Sequence, residues 1–130
     1  MVEVVDNSPE YYDFIRVLRS DPRVQAGFIK QRIKSDISPE EQNKYMSKYS
    51  DKYVVALYNG EPAGFAGSLD RDIRVCVHPD YHKKGVGKAL IQELMVRFPN
   101  SFAKVKIENE ASRALFESCG FKVKYWLMEK

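Results

Sequence analysis

The chain has 130 residues, a formal net charge of +3 and 44% hydrophobic side chains. That is enough to bury one core, and the absence of any composition break predicts one domain over residues 1–130. The apolar runs are too short to cross a bilayer, acidic residues are interspersed among the basic ones, and Cys76 and Cys119 have neither disulfide-framework nor metal-ligand spacing. These features argue against a membrane protein, a nucleic-acid binder and a metalloprotein. Glu3 and Asp6 stand where a secretory signal would be basic and then apolar, so a cytoplasmic protein is expected.

Val2 to Val5 reads as an opening strand, and Ser8-Pro9 offers an N-cap and a first-turn proline for a helix from Pro9 to Arg19. Asp21-Pro22 ends that helix, and Arg23 to Ile37 reads as a short helix plus a loop. Ser38-Pro39-Glu40-Glu41 is a capping box, which predicts a helix from Pro39 to about Tyr49. Tyr53 to Tyr58 and Ala63 to Leu69 then form a hairpin on Asn59-Gly60, and Gly64 and Gly67 predict a bulge or a close backbone approach. Ile73, Val75 and Val77 alternate with Arg74, Cys76 and His78 in a strand halted by Pro79.

A helix follows from Gly85 to Phe98, with Val86, Ala89, Leu90, Leu94 and Phe98 on its apolar side. Phe102 to Glu108 alternates as a further strand, Ala111 to Cys119 is a helix ended by Gly120, and Phe121 to Met128 is expected to close the sheet. Hairpins combined with one strand-helix-strand crossover predict an α+β fold in α/β/α layers. The sheet would be mixed and mostly antiparallel, with a central parallel strand pair and helices on both faces.

The stretch His82-Lys83-Lys84-Gly85-Val86-Gly87-Lys88 lies between a strand and a helix start, where unpaired N–H groups and glycines can hold a pyrophosphate. A P-loop is excluded because His82 takes the place of its first glycine and Ala89 follows the lysine. A dinucleotide fingerprint is excluded because Leu90 takes the place of its third glycine. What remains resembles the acetyl-CoA loop [Q/R]-x-x-G-x-[G/A] of the GNAT N-acetyltransferase superfamily. A second stretch, Asn109 to Phe121, is similar to that family's N-x-x-A-x-x-L-Y-x-x-x-G-F. The two motifs cover roughly residues 53 to 128 and imply the acyl-CoA N-acyltransferase fold.

The resemblance implies an acetyl-CoA-dependent N-acetyltransferase with acetyl-CoA as cosubstrate and a primary amine as acceptor. Val75, Cys76 and Val77 would line the gap between two splayed strands, whose N–H groups hold the thioester. His82, Lys83, Lys84, Gly85, Val86, Gly87 and Lys88 would hold the pyrophosphate, and His82, in the place of the usual Gln or Arg, would lend that contact a pH dependence. Glutamate at Gly85 or Gly87 would then block CoA while leaving the fold intact. Asn109 and Ser112 would lie near the pantetheine arm, although Asn109 is equally suited to cap the helix that follows.

Phe116 takes the place where many members carry the tyrosine that protonates the leaving thiolate. Tyr125 is the substitute donor, and Glu108 and Asp72 are the candidate bases. Arg74 falls where relatives often carry an acid facing the acceptor, which points to an acceptor bearing a carboxylate or phosphate; with the N-terminal tyrosines it tilts the reading toward a small amine such as an amino sugar or its nucleotide derivative. A protein lysine or N-terminus, and a silent CoA-binding module, stay open as alternatives. The short stretch after Phe121 leaves both a monomer and a homodimer open.

Overall fold

A computed structural model describes residues 1–25 and 37–130. Strands β1 (Val2–Asp6), β2 (Tyr53–Tyr58), β3 (Glu61–Leu69) and β4 (Asp72–Val77) form one antiparallel sheet in that order. Asn59 and Gly60 both take positive φ, 49° and 86°, the mirror-image turn whose twist matches that of the flanking strands. Asp70 and Arg71 do the same at 51° and 70° without a glycine. Asp tolerates that region, whereas Arg71 is held there from outside, its Nε donating to the Asn100 carbonyl at 2.9 Å and its guanidinium lying 5.7 Å over the Phe102 ring.

The β2–β3 ladder slips by one residue between Ala56 and Leu57, which oppose Gly64 and Pro62, so Ala63 is the bulged residue. Gly64 meets the expected close approach, since a Cβ there would stand 2.6 Å from the Cys76 carbonyl oxygen. The sheet carries helices on both faces. Ile15 and Leu18 of α1 (Pro9–Arg19) and Met46 of α3 (Pro39–Tyr49) pack on Val55, Phe65 and Cys76. On the opposite face, Leu90, Ile91 and Leu94 of α4 (Val86–Arg97) and Phe116 of α5 (Glu110–Ser118) pack on Val54, Ala56, Ala66 and Ile73.

The helix boundaries follow local chemistry. Ser38 Oγ accepts from the Glu41 N–H at 3.1 Å and Glu41 Oε1 from the Ser38 N–H at 3.3 Å, so both halves of the capping box form. Ser8 precedes α1 but its hydroxyl turns to Glu10 instead of capping. A short helix α2 (Pro22–Gln25) opens the stretch read as a short helix plus a loop, the rest of which lies outside the described residues. Gly120, at φ 91°, ends α5: the Gly120 N–H donates to the Glu117 carbonyl and the Phe121 N–H to the Phe116 carbonyl, with the Phe116 and Phe121 rings 5.1 Å apart. This double bond plus apolar clasp is the Schellman stop, which gives the Gly-Phe pair its physical role.

Two expected strands are absent. Phe102 alone bridges Asp72 in parallel, and residues 103–108 make no ladder, so the central parallel pair is reduced to a single bridge. Ala103 and Val105 still turn toward the α4 core, whereas Ile107 is exposed, so the alternation encoded side-chain facing only over the first part of this segment, without backbone pairing. Phe121 to Met128 does not close the sheet: Tyr125 is 89% and Trp126 81% exposed. With 103–108 off the ladder, no sheet edge stands beside this segment to receive its N–H and C=O groups.

No described helix is long and apolar enough to cross a membrane. Cys76 is fully enclosed between the sheet and α1, and burial pushes its thiol up to about 12, whereas Cys119 is partly exposed. Iodoacetamide should therefore label Cys119 in the native protein and Cys76 only after denaturation, as read by peptide mass mapping. Native labelling of Cys76 would contradict this packing.

Candidate active site

Strand β4 is a sheet edge with an unusual outer side. The Ile73 N–H donates to the Phe102 carbonyl at 2.9 Å and the Phe102 N–H to the Arg71 carbonyl at 2.8 Å. Past that point the two segments part. Because N–H directions alternate along a strand, Val75 and Val77 point theirs to the same outer side as Ile73, into the opening gap. Arg74, Cys76 and His78 point the other way, and the His78 N–H reaches the Ala63 carbonyl at 2.8 Å. The gap is therefore closed at Asp72–Phe102, where the Arg71 clamp holds it, and open toward Val77.

The open end leads to the start of α4. Pro79–Tyr81 forms a single turn of 3₁₀ helix, stabilised by the Asp80 N–H donating to His78 Nδ1 at 3.1 Å. Lys83 takes φ 62° and Gly85, the α4 N-cap, φ 83°. No side chain caps this helix, so the N–H groups of Val86, Gly87 and Lys88 face outward together with the positive end of the helix dipole. A Cβ on Gly85 would meet nothing within 4 Å, so space lies in front of this turn. Such an arrangement holds an anion without needing any particular side chain.

The loop lysines divide. Lys84 lies 5.5 Å over the Tyr58 ring, which itself meets the Tyr81 ring at 5.6 Å and a tilt of 53°, a contact that no local spacing in the sequence signals. His82, Lys83 and Lys88 are exposed around the free N–H groups. The two glycines divide as well: Gly85 serves the left-handed cap, whereas a Cβ on Gly87 would stand 2.8 Å from Leu115 Cδ2. Gly87 is thus where Leu115 of α5 meets α4, and a side chain there would have to displace the end of Leu115.

The second motif positions α5 rather than supplying a proton. Asn109 Oδ1 accepts from the Ser112 N–H at 3.1 Å, so the capping role is realised while its Nδ2 is left to donate elsewhere. Ser112 is half-buried beside it. Phe116 is 6% exposed inside the core, so its ring faces α4 and the sheet instead of the gap. Cys76 also falls away, because its side chain is buried on the α1 side and its N–H and C=O point into the sheet.

Of the groups read as proton carriers, Asp72 sits at the closed end of the gap, 3.7 Å from the Lys104 ammonium. Tyr125 belongs to the exposed final segment and is not brought to the gap by any strand. Glu108 is exposed in the turn that leads into the Asn109 cap. Among the described residues, no cluster of His, Cys, Asp or Glu could hold a metal ion.

A splayed strand edge thus opens onto an uncapped helix start. The family model for acetyltransferases of the GNAT family matches residues 13–121. This chain belongs to the GNAT family. Among characterised members it is 30% identical over 95 residues to the ribosomal protein bS18-alanine N-acetyltransferase of Escherichia coli strain K12, covering 64% of each chain. It therefore spans 64% of the length of the curated relatives it matches.

Solved structures share the fold. Spermidine N-acetyltransferase from Vibrio cholerae, in complex with CoA and spermine, superposes with a TM-score of 0.81 at 16% identity, covering 99% of this chain and 85% of that one. A Salmonella typhimurium protein solved with its cofactor acetyl-CoA gives a TM-score of 0.72 at 22% identity, covering 96% and 82%. The GNAT fold in this chain accordingly keeps the sheet, α4 and α5, while the strands after α4 are reduced to the Phe102 bridge.

Proposed function

We propose that residues 1–130 act as a single N-acetyltransferase domain that moves an acetyl group from acetyl-CoA to a primary amine. The observation that carries this reading is the continuity of donors from Val75 and Val77 in the gap to Val86, Gly87 and Lys88 at the helix start. The residues present fit acetyl-CoA, whose diphosphate suits the α4 amides and whose thin pantetheine arm suits the gap beyond the Asp72–Phe102 bridge. Acetyl-CoA supplies an acyl group on a thioester, which is activated toward amines.

The chain's own work is positional and electrostatic. The outward N–H groups of β4 donate to an acyl oxygen, where preorganised donors are worth about 2.7–4 kcal/mol each in comparable sites. Lys83 and Lys88 raise the potential at the diphosphate, and Asn109 Nδ2 donates toward the arm. Glu108 is the proposed proton acceptor, being free of the Lys104 contact that occupies Asp72. Since Phe116 has no hydroxyl and Tyr125 is exposed on a segment outside the sheet, the departing thiolate is stabilised by these donors and by water.

The relatives' acceptors, a protein N-terminal alanine and spermidine, share a primary amine, which is the acceptor class proposed here. The test is CoA release from acetyl-CoA, followed with a thiol reagent, across a panel of small amines and peptide N-termini. Release that depends on an amine supports the reading. CoA binding with no release on any acceptor would leave the chain as a silent CoA-binding module, the reading that the buried Phe116 favours.

A further inference from the structure

The face of β4 opposite α4 carries a second set of charges. Tyr53, Gly67 and Arg74 stand directly opposite one another across β2, β3 and β4, so all three project to the α1–α3 side. Gly67 has no side chain, and the Tyr53 ring lies over it, so that a Cβ there would come within 2.6 Å of the ring. The Tyr53 hydroxyl is 2.7 Å from that of Tyr45, and the Arg19 guanidinium lies 5.5 Å over the Tyr45 ring. One guanidinium thus flanks the tyrosine pair, and Arg74 projects from the same face of the sheet. Both act electrostatically on Tyr53, where they oppose the upward push that burial gives its hydroxyl.

Arg19 is only 6% exposed, and the Arg74 Nε is buried without a hydrogen-bond partner. Among the described residues neither makes an ion pair with an acid. Stacking on Tyr45 offsets part of the cost for Arg19, but an aromatic ring does nothing for an orphaned Nε, and a buried cation left without an anion is costly. The position also has direction. Arg74 stands between Ile73, which closes the gap, and Val75, whose N–H faces into it.

We propose that Arg74 and Arg19 form an oxyanion subsite for the acceptor, so that the amine acetylated here also bears a carboxylate or a phosphate. This rests on the acetyltransferase reading above. An anion in this subsite supplies the missing counter-charge, and the forked guanidinium of Arg74 suits either group. Polyamines are disfavoured, because they would bring further positive charge to two arginines that pair with no acid among the described residues.

The test uses two matched pairs: β-alanine against β-alaninamide for a carboxylate, and 2-aminoethyl phosphate against ethanolamine for a phosphate. Each is titrated calorimetrically into CoA-saturated protein and assayed for CoA release from acetyl-CoA. The anionic member of one pair should be preferred at least tenfold, in KM rather than kcat, and the pair that discriminates identifies the group. Arg74→Gln should abolish that preference, Arg74→Lys should restore part of it, and both should leave the affinity for CoA within twofold.

Equal binding and turnover of both members in each pair would overturn the subsite, and so would an Arg74→Gln variant that weakens neutral and anionic members alike. Discrimination in the titration with no CoA release would uphold the subsite and overturn the catalytic reading. Release without discrimination would do the reverse. Failure of every compound to bind or react would overturn the subsite. The wild-type comparison decides the matter even if a variant fails to fold.

Discussion

Val75→Pro is expected to lower the rate of acetyl transfer by about 10²–10³-fold while leaving a folded protein, the size of effect seen when one preorganised oxyanion donor is removed. The position makes the experiment possible. β4 is the outermost strand of the sheet, and Val75 points its N–H away from β3, so a proline there removes no ladder bond, which is the one setting in which strands tolerate it. Arg74, the preceding residue, is already extended, as a residue before proline must be. Cys76→Pro is the matched control, since its N–H points into β3, and it should unfold the sheet. Initial rates of CoA release, with circular dichroism and a thermal melt on each variant, separate the two effects. A folded Val75→Pro protein with the wild-type rate would move the reaction away from the gap.

The loop glycines should fail in opposite ways. Gly87→Leu drives a side chain into Leu115, which a Cβ alone would approach to 2.8 Å, so Leu115 must swing aside and α5 repack on α4. Overpacking of this kind costs about 1–3 kcal/mol, and the melting midpoint should fall by several degrees. Gly85→Glu keeps the packing, because its Cβ meets nothing within 4 Å, and bears only the strain of a side chain at φ 83°, about 1–2 kcal/mol. Its carboxylate stands before the free N–H groups of α4 and should weaken CoA binding at least tenfold. Melting curves alongside CoA titrations check both variants. A Gly87→Leu protein as stable as wild type would contradict the α4–α5 contact, and a Gly85→Glu protein that binds CoA normally would contradict the anion site.

Much of this arrangement was legible in the residues. Ser38 and Glu41, Asn59-Gly60, and Gly120-Phe121 are local signals whose hydrogen bonds close within a few residues, and each formed as its chemistry dictates. The loop motif and the helix it opens were legible for the same reason, since a glycine cap and the unpaired amides behind it depend on nothing distant. What failed was long-range. Alternation in 102–108 correctly turned Ala103 and Val105 inward, yet could not report whether a neighbouring edge would accept the backbone, and the final segment depended on that same edge.

Side-chain roles failed for a related reason. The Gly87 N–H stays at the start of α4, but the space beside its Cα holds Leu115, a residue 28 positions away in sequence. Cys76 lies in the right strand but with the wrong parity, which β4 register alone reveals. The Arg19–Tyr45–Tyr53–Arg74 cluster brings together two helices and two strands. No spacing rule connects those positions.

The most direct measurement is a titration of isotope-labelled protein with CoA, read as amide chemical shifts along the backbone. The largest shifts should fall on Val75 and Val77, whose N–H groups face the gap, and on Val86, Gly87 and Lys88 at the start of α4, with Arg74 and Cys76 changing little. Saturable binding whose shifts lie on another surface, with those five amides unmoved, would contradict the placement of CoA along the splayed edge.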